Sequence, residues 1–350
     1  MFRRRSDASK SWGFEDRRRS GWAPRTLLIL GGVMVSLGIM MLQGTPWWRL
    51  HFEPSYEWVD TKDQPLLGDA GFASHFPLER LTTYRVGRSQ GLDIPIVVAE
   101  YHNEVGQSEH AMVYQASAPE SSVGTFNPRM SLWEATARAI LAHASPESLY
   151  LTWWDNAQRV HLLTGEATSP RLPVKASFSG LPLQEFWGVA SGGYAQDVSE
   201  ARQFAQWLVM DADKAVREIR ASYRAPQSLY LLACVDDLAR LSEIERLSGV
   251  SIPLEARYFP AAQDLHAQIK EVRRWVNEKG EGTNYLVQPV SGGGVRAWRV
   301  TSAEGAKLLL VRLLPFSHSL ETLVEGTRLV YQSHWGGYIS IHELISPTDH

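Results

Sequence analysis

Residues 150–167 read YLTWWDNAQRVHLLTGEA, and this stretch gathers the side chains best suited to chemistry or recognition. Asp155 and Asn156 together offer oxygen ligands for a metal or a polar molecule. Trp153 and Trp154 beside them offer rigid faces of the kind that bind sugars and cations. Gln158 and Arg159 add donors for an anionic or amide group. The six residues Trp153, Trp154, Asp155, Asn156, Gln158 and Arg159 are therefore the candidate ligand- or partner-binding set. The competing reading is a strand end whose polar side chains cap the next turn, with one tryptophan buried and one exposed. A lone carboxylate without an acid/base partner at fixed spacing does not support hydrolysis, and no catalytic residue is assigned.

Other clusters are weaker. Asp211 and Asp213 stand two apart on an expected helix, on different faces, where pairing with Arg217 at a solvated surface is the simpler role. Asp236 and Asp237 follow the apolar run LYLLACV. They suit a helix cap, or a ligand at the carboxyl end of a strand. His318, His334 and His342, with Glu343, match no metal-ligand spacing. SGGG at 291–294 lacks the Lys-Ser/Thr of a phosphate loop, and ASGGY at 190–194 lacks the full nucleophile elbow. The single cysteine, Cys234, lies in an apolar run and reads as buried and inert. No Cys-x-x-Cys-His occurs, so no covalent c-type haem or other cofactor is expected. The cysteine count also rules out cysteine-based zinc and iron–sulfur sites.

The elements that must carry these residues alternate. LDIPIVVAEYH and EHAMVYQAS read as strands separated by NEVGQS. SLWEATARAILAHASP reads as a helix capped by Ser131. SLYLTWW is a strand. SEARQFAQWLVMDADKAVREIRASY reads as one long amphipathic helix, and SLYLLACV as a second strand. DDLARLSEIERLSG and AQDLHAQIKEVRRWVNEKG read as helices ended by Gly249 and Gly280. NYLVQPV, VRAWRV, AKLLLVRLLP, TRLVYQS and YISIHELI read as strands, with SGGG as a turn. The two copies of SLYL, at Ser148 and Ser228, are too short to establish a repeat. The fold class is α/β, with α+β as the alternative: a mixed sheet with flanking helices.

The 350 residues are 44% hydrophobic and 21% charged, enough for a large core and unlike a disordered chain. The formal net charge of -3 argues against nucleic-acid binding. Residues 1–25 form a basic tail rich in arginine. No charged side chain follows until Arg49, so residues 26–48 are long enough to cross a bilayer once, at ~1.5 Å of rise per residue against ~30 Å of hydrocarbon. The basic flank places the N-terminus in the cytoplasm, and Trp47 and Trp48 suit the interface. No small-x-small cleavage site follows, so an uncleaved anchor is expected. Residues 49–88 read as a loop-rich connector. Residues 89–350 read as a periplasmic domain with subdomains near 89–225 and 226–350, facing outward from a bacterial inner membrane.

The basic tail, the single span, YLTWWDNAQRVHLLTGE and RLVYQSHWGGYISIHEL together resemble the hydroxylamine oxidation protein HaoB family, from the anchor to the C-terminus. The resemblance implies a periplasmic accessory of the multihaem hydroxylamine oxidoreductase or its cytochromes, acting by binding, tethering or maturation. It brings no catalytic residues with it. Trp153-Trp154-Asp155 also resembles the start of the Trp-Trp-Asp-Tyr-Gly motif of oligosaccharyltransferase catalytic subunits, and TRLVYQS with GYISIHEL resembles the end of their soluble domains. Asn156 and Ala157 stand where that motif has Tyr-Gly, so this second resemblance implies a peptide- or glycan-binding module without glycosyl transfer. A third reading is an enzyme using a metal held by Asp155 or by the C-terminal histidines.

Overall fold

The computed structural model describes residues 56–60, 74–86, 94–115, 128–145, 147–178, 181–223, 228–261, 264–280, 283–289, 294–319, 321, 323–334 and 338–345. The expected membrane span at 26–48 lies outside these residues. Among the described residues no helix is long and apolar enough to cross a membrane.

Among the described residues, three sheets carry the fold. The first is an antiparallel meander of β1 (Tyr56–Asp60), β2 (Leu78–Val86), β3 (Ile94–His102) and β4 (Ser108–Gln115), in that order. The Asn103 side-chain oxygen tightens its β3–β4 turn by accepting from the amides of Val105 and Gln107. Two of these strands, β1 and β2, fall in the region read as a connector from sequence.

Helix α1 (Pro128–His143) leads into β5 (Ser148–Leu151), α2 (Trp154–Thr164) and β6 (Ala167–Ser169). Three helices follow: α3 (Leu181–Ala190), α4 (Ser199–Leu208) and α5 (Ala212–Ser222). Next come β7 (Ser228–Cys234), a 3-10 turn over Val235–Arg240, and α6 (Leu241–Ser248). A small antiparallel sheet of order β8-β10-β9 then forms from β8 (Leu254–Phe259), β9 (Tyr285–Pro289) and β10 (Val295–Val300), with α7 (Leu265–Asn277) inserted between β8 and β9. The chain closes with α8 (Leu309–Leu313), β11 (Thr327–Gln332) and β12 (Ile339–Leu344).

The central sheet has the order β11-β12-β7-β5-β6. Strands β7, β5 and β6 are parallel, while β12 joins β7, and β11 joins β12, antiparallel. This is the mixed sheet with flanking helices expected from the alternating pattern. Its strands come from both sides of residue 225. The two SLYL copies are β5 and the start of β7, paired in parallel residue for residue from Ser148↔Ser228 to Leu151↔Leu231. The rings of Tyr150 and Tyr230 stack with centroids 4.8 Å apart. Both strands are almost wholly buried, which is why they read as unbroken apolar runs rather than as alternation.

Several local readings need correction. The single helix expected over 199–223 is two helices. Asp211 caps α5 by accepting from the Lys214 amide, and Leu309 donates its amide to the Met210 carbonyl, so the break is where α8 docks. AKLLLVRLLP is not a strand but α8, preceded by a 3-10 turn at Gly305–Lys307. Leu309, Leu310, Val311 and Leu313 are all buried, and a run buried on every side shows no period by which to tell helix from strand. Ser131 is not the cap of α1, because the helix begins three residues earlier at Pro128. The helix expected from Asp236 starts as a 3-10 turn and becomes α-helical only at Leu241, though it ends as expected at Gly249, whose φ of +74° suits glycine.

His342, on β12, is 6% exposed, and neither ring nitrogen has a hydrogen-bond partner among the described residues. Its cross-strand neighbours are Leu231 and Leu329. Burial pushes its pKa down to about 4. The folded protein therefore binds this proton less readily than the unfolded chain, whose imidazole titrates near ~6.5. The stability is intact above that pH and is lost as pH falls towards 4, by up to about 1.4 kcal/mol per unit. Urea unfolding at pH 7.5 and pH 5 should show this loss, and His342→Leu should flatten it.

Candidate functional site

The opening motif sits where β5 ends. Trp153 is extended, Trp154 opens α2, and the helix stops at Gly165, whose φ of +75° is left-handed. β5 and β7 are neighbours, and each runs into a helical segment at its carboxyl end. The chain leaves β5 towards β6 on one side and leaves β7 for elements ending beside β12 on the other. Crevices at such reversals are where open α/β sheets commonly hold ligands. Here the crevice is filled by the protein's own side chains.

All six sequence candidates are buried: Trp153, Trp154, Asp155, Asn156, Gln158 and Arg159 are each 6% exposed or less. This departs from the reading with one exposed tryptophan. Their partners come from the turn and helix after β7. Arg240 donates through Nε and Nη2 to Oδ2 of Asp155, at 3.3 and 3.1 Å, and through Nη1 to Oε1 of Glu243 at 3.1 Å. Trp154 Nε1 donates to the other Glu243 oxygen at 3.0 Å. The Arg240 guanidinium also lies 4.5 Å from the ring centroid of Trp187 and 5.1 Å from that of Trp154. An arginine taken out of water is thus matched by two carboxylates and two aromatic faces.

A second chain of bonds runs beside the first. Asn156 Nδ2 donates to Asp237 Oδ1 at 2.7 Å, while Asp237 Oδ2 accepts the Cys234 amide at 2.9 Å. Arg159 Nη1 donates to Asn156 Oδ1 at 3.0 Å, its Nε reaches the Met112 carbonyl on β4 at 2.9 Å, and its guanidinium covers Trp133 of α1. Gln158 donates to the Ser191 carbonyl just past α3. Five side chains between Trp154 and Arg159 therefore tie β4, α1, α3 and the β7–α6 connection to the start of α2.

Three buried carboxylates, Asp155, Asp237 and Glu243, face two guanidiniums. Burial pushes the Asp237 carboxyl well above the usual carboxylate range, and nearby Asp155 adds to the shift, against the pull of the Cys234 amide and Asn156. The shift moves the set towards neutrality. Burial also raises Glu243, though Arg240 and Trp154 oppose it. At Arg240 the effect of burial is outweighed by Asp155 and Glu243, which hold the guanidinium charged. Burial pushes the Cys234 thiol well up, as expected for an inert cysteine.

Of the remaining sequence candidates, Asp237 caps as expected, while Asp236 accepts from the Tyr338 hydroxyl. Asp213 accepts the Glu325 amide rather than pairing with Arg217. His318 and His334 are exposed whereas His342 is buried. Among the described residues no three His, Cys, Asp or Glu side chains gather to hold a metal. Sequence reasoning missed Arg240 and Glu243, which lie some eighty residues from their partners. The available signal was DDLAR directly after an apolar strand.

The fold and this network define a three-sheet α/β protein whose most chemistry-like motif is a buried polar keystone. The chain belongs to the family described as HaoA-associated protein HaoB, whose sequence model matches residues 23–344. No curated protein matches the chain. Among solved structures, the C-terminal globular domain of an oligosaccharyltransferase from Archaeoglobus fulgidus is similar at 11% identity and a TM-score of 0.31, covering 63% of this chain and 99% of that one.

Arg240→Met removes the charge that Asp155 and Glu243 share and leaves both buried without it. A loss of about 3–5 kcal/mol in urea unfolding is expected. Asp155→Asn in the same chain should restore part of that loss, since one uncompensated carboxylate is then gone.

Proposed function

We propose that this chain is a single-pass inner-membrane protein whose main domain lies in the periplasm and serves hydroxylamine oxidation as an accessory of HaoA, the multihaem hydroxylamine oxidoreductase. It binds or tethers that enzyme at the membrane, or assists its maturation. The observation that carries this reading is the family match over residues 23–344, to proteins described as associated with HaoA. The uncharged run between Arg25 and Arg49 supports the anchor.

Burial of Trp153–Arg159 moves the partner contact elsewhere. Most of those side chains make internal bonds, which supports a role in holding the domain in shape. The contact then falls on the outer surface, which carries exposed lysines such as Lys214, Lys270 and Lys307.

Crosslinking of the tagged full-length protein in its native membranes, followed by purification, mass spectrometry and haem absorbance, tests the proposal. Recovery of the multihaem enzyme is expected, with crosslinks at exposed lysines. Recovery of the chain alone, under conditions that crosslink other neighbours, would overturn it.

A further inference from the structure

One face of the four-stranded sheet enters the main core through Tyr84, Ile96, Val98 and Met112, and the other meets α2 through a small apolar cluster and an ionisable one. Phe76, Tyr101, Ala111 and Val113 pack with Leu162 of α2, and the His75 amide donates to the Leu162 carbonyl. At the rim of this patch Glu109, on β4, collects partners from every side. It accepts from Tyr101 of β3 at 2.8 Å, from Asn103 of the β3–β4 turn at 2.8 Å, and from Arg171 in the segment after β6.

His161 of α2 lies against the same carboxylate. Its Nε2 is 3.7 Å from Glu109 Oε2, beyond hydrogen-bond distance, and has no other partner. Its Nδ1 is 2.9 Å from the Glu166 carbonyl oxygen. Phe76 covers one side of the ring, with centroids 5.0 Å apart, and His75 is packed on Gly165 at the end of α2. His161 therefore faces one carboxylate already claimed by Arg171, a second histidine, His75, and apolar rings. A neighbouring seam uses a histidine too: His110 of β4 contacts the Val189 carbonyl of α3 through Nδ1, and its Nε2 is 3.9 Å from Glu100.

We propose that the seam between the four-stranded sheet and α2 is an acid-sensitive latch, which Glu109 closes and protonation of His161 loosens. A proton on His161 would add a second positive group, beside Arg171, around a single carboxylate at a half-buried site. Loosening of this seam gives the imidazolium more water than it has when docked. The electrostatics agree. Burial lowers the His161 pKa, and Arg171 and His75 lower it further, against the Glu166 carbonyl and Glu109. Burial alone would raise the Glu109 carboxyl, but Tyr101, Asn103 and Arg171 hold it below the usual range.

The signs define a window. A released His161 titrates near ~6.5, so docking is complete above that pH and weakens as pH falls. Glu109 keeps its charge until below ~4.3. Between these values His161 acts without Glu109.

Hydrogen exchange of the full-length protein in detergent, at pH 7.5 and 5.5 and corrected for intrinsic rates, tests the latch. Amides of β2–β4 should lose protection by up to about tenfold more than those of β7 and β12. The comparison with β7 and β12 removes the effect of His342, which acts on the whole central sheet. His161→Gln should abolish the excess loss, whereas His342→Leu should leave it. Equal loss across all strands, or an excess that survives His161→Gln, would overturn the proposal. The two-pH comparison on the unaltered protein decides the first outcome even if the variant does not fold.

Discussion

The structure depends on bringing one guanidinium out of water. Arg240 leaves the carboxyl end of β7 and is buried between two tryptophan faces, where its cost of desolvation is several kcal/mol. Asp155 and Glu243 offset that cost only from their observed places, at the start of α2 and on α6. The pair thus fixes how the helical segments after β5 and β7 sit over the ends of two parallel strands. A hydrophobic plug would fill the same space, but it would not demand this register of α2 against α6. Neighbouring Asn156, Asp237 and Arg159 extend the constraint to β4 and α1. The charged groups in this chain of bonds are each paired with another, and the bonds strengthen one another in a medium of low dielectric.

That arrangement explains why a motif that looks like an active site is closed to solvent. Two tryptophans, an acid, an amide and an arginine are well suited to recognition when they face solvent. Here they face one another. The aromatic rings that suit a ligand cation hold Arg240 instead, and the carboxylate that suits a metal holds the same arginine. For an accessory protein, a stiff domain core leaves the outer surface free to carry a partner contact.

The two polar clusters differ in kind. The network around Arg240 is fully enclosed, and its charges answer each other. The cluster around Glu109 lies at a rim, contains a histidine with an unpartnered nitrogen, and joins the four-stranded sheet to α2 over a small apolar patch. The other face of the sheet is held in the main core by Tyr84, Ile96, Val98 and Met112, so the rim contact acts on the seam with α2. Charge at His161 therefore has more leverage than the same charge on an exposed surface.

Much of the fold was legible in the sequence, and the reasons are local. β5 and β7 showed as apolar runs, the β3–β4 hairpin as two strands around NEVGQS, and α6 ended at a glycine that adopts the left-handed conformation, whereas α2 was not read as a helix. The mixed sheet followed from the alternation of strands and helices. Other features were not local. Whether LLLVRLL is helix or strand is undecided by a run that is buried on all sides. Whether 199–223 is one helix or two depends on α8 docking at Met210. The candidate site divides in the same way. Its residues were identifiable by type, because an acid, an amide and an arginine beside two tryptophans are costly to bury without purpose. Their role was not, because Arg240, Glu243 and Asp237 reach them only when β5 and β7 lie side by side. Sequence alone determined which side chains would need partners; tertiary structure alone decided that those partners would be the protein's own.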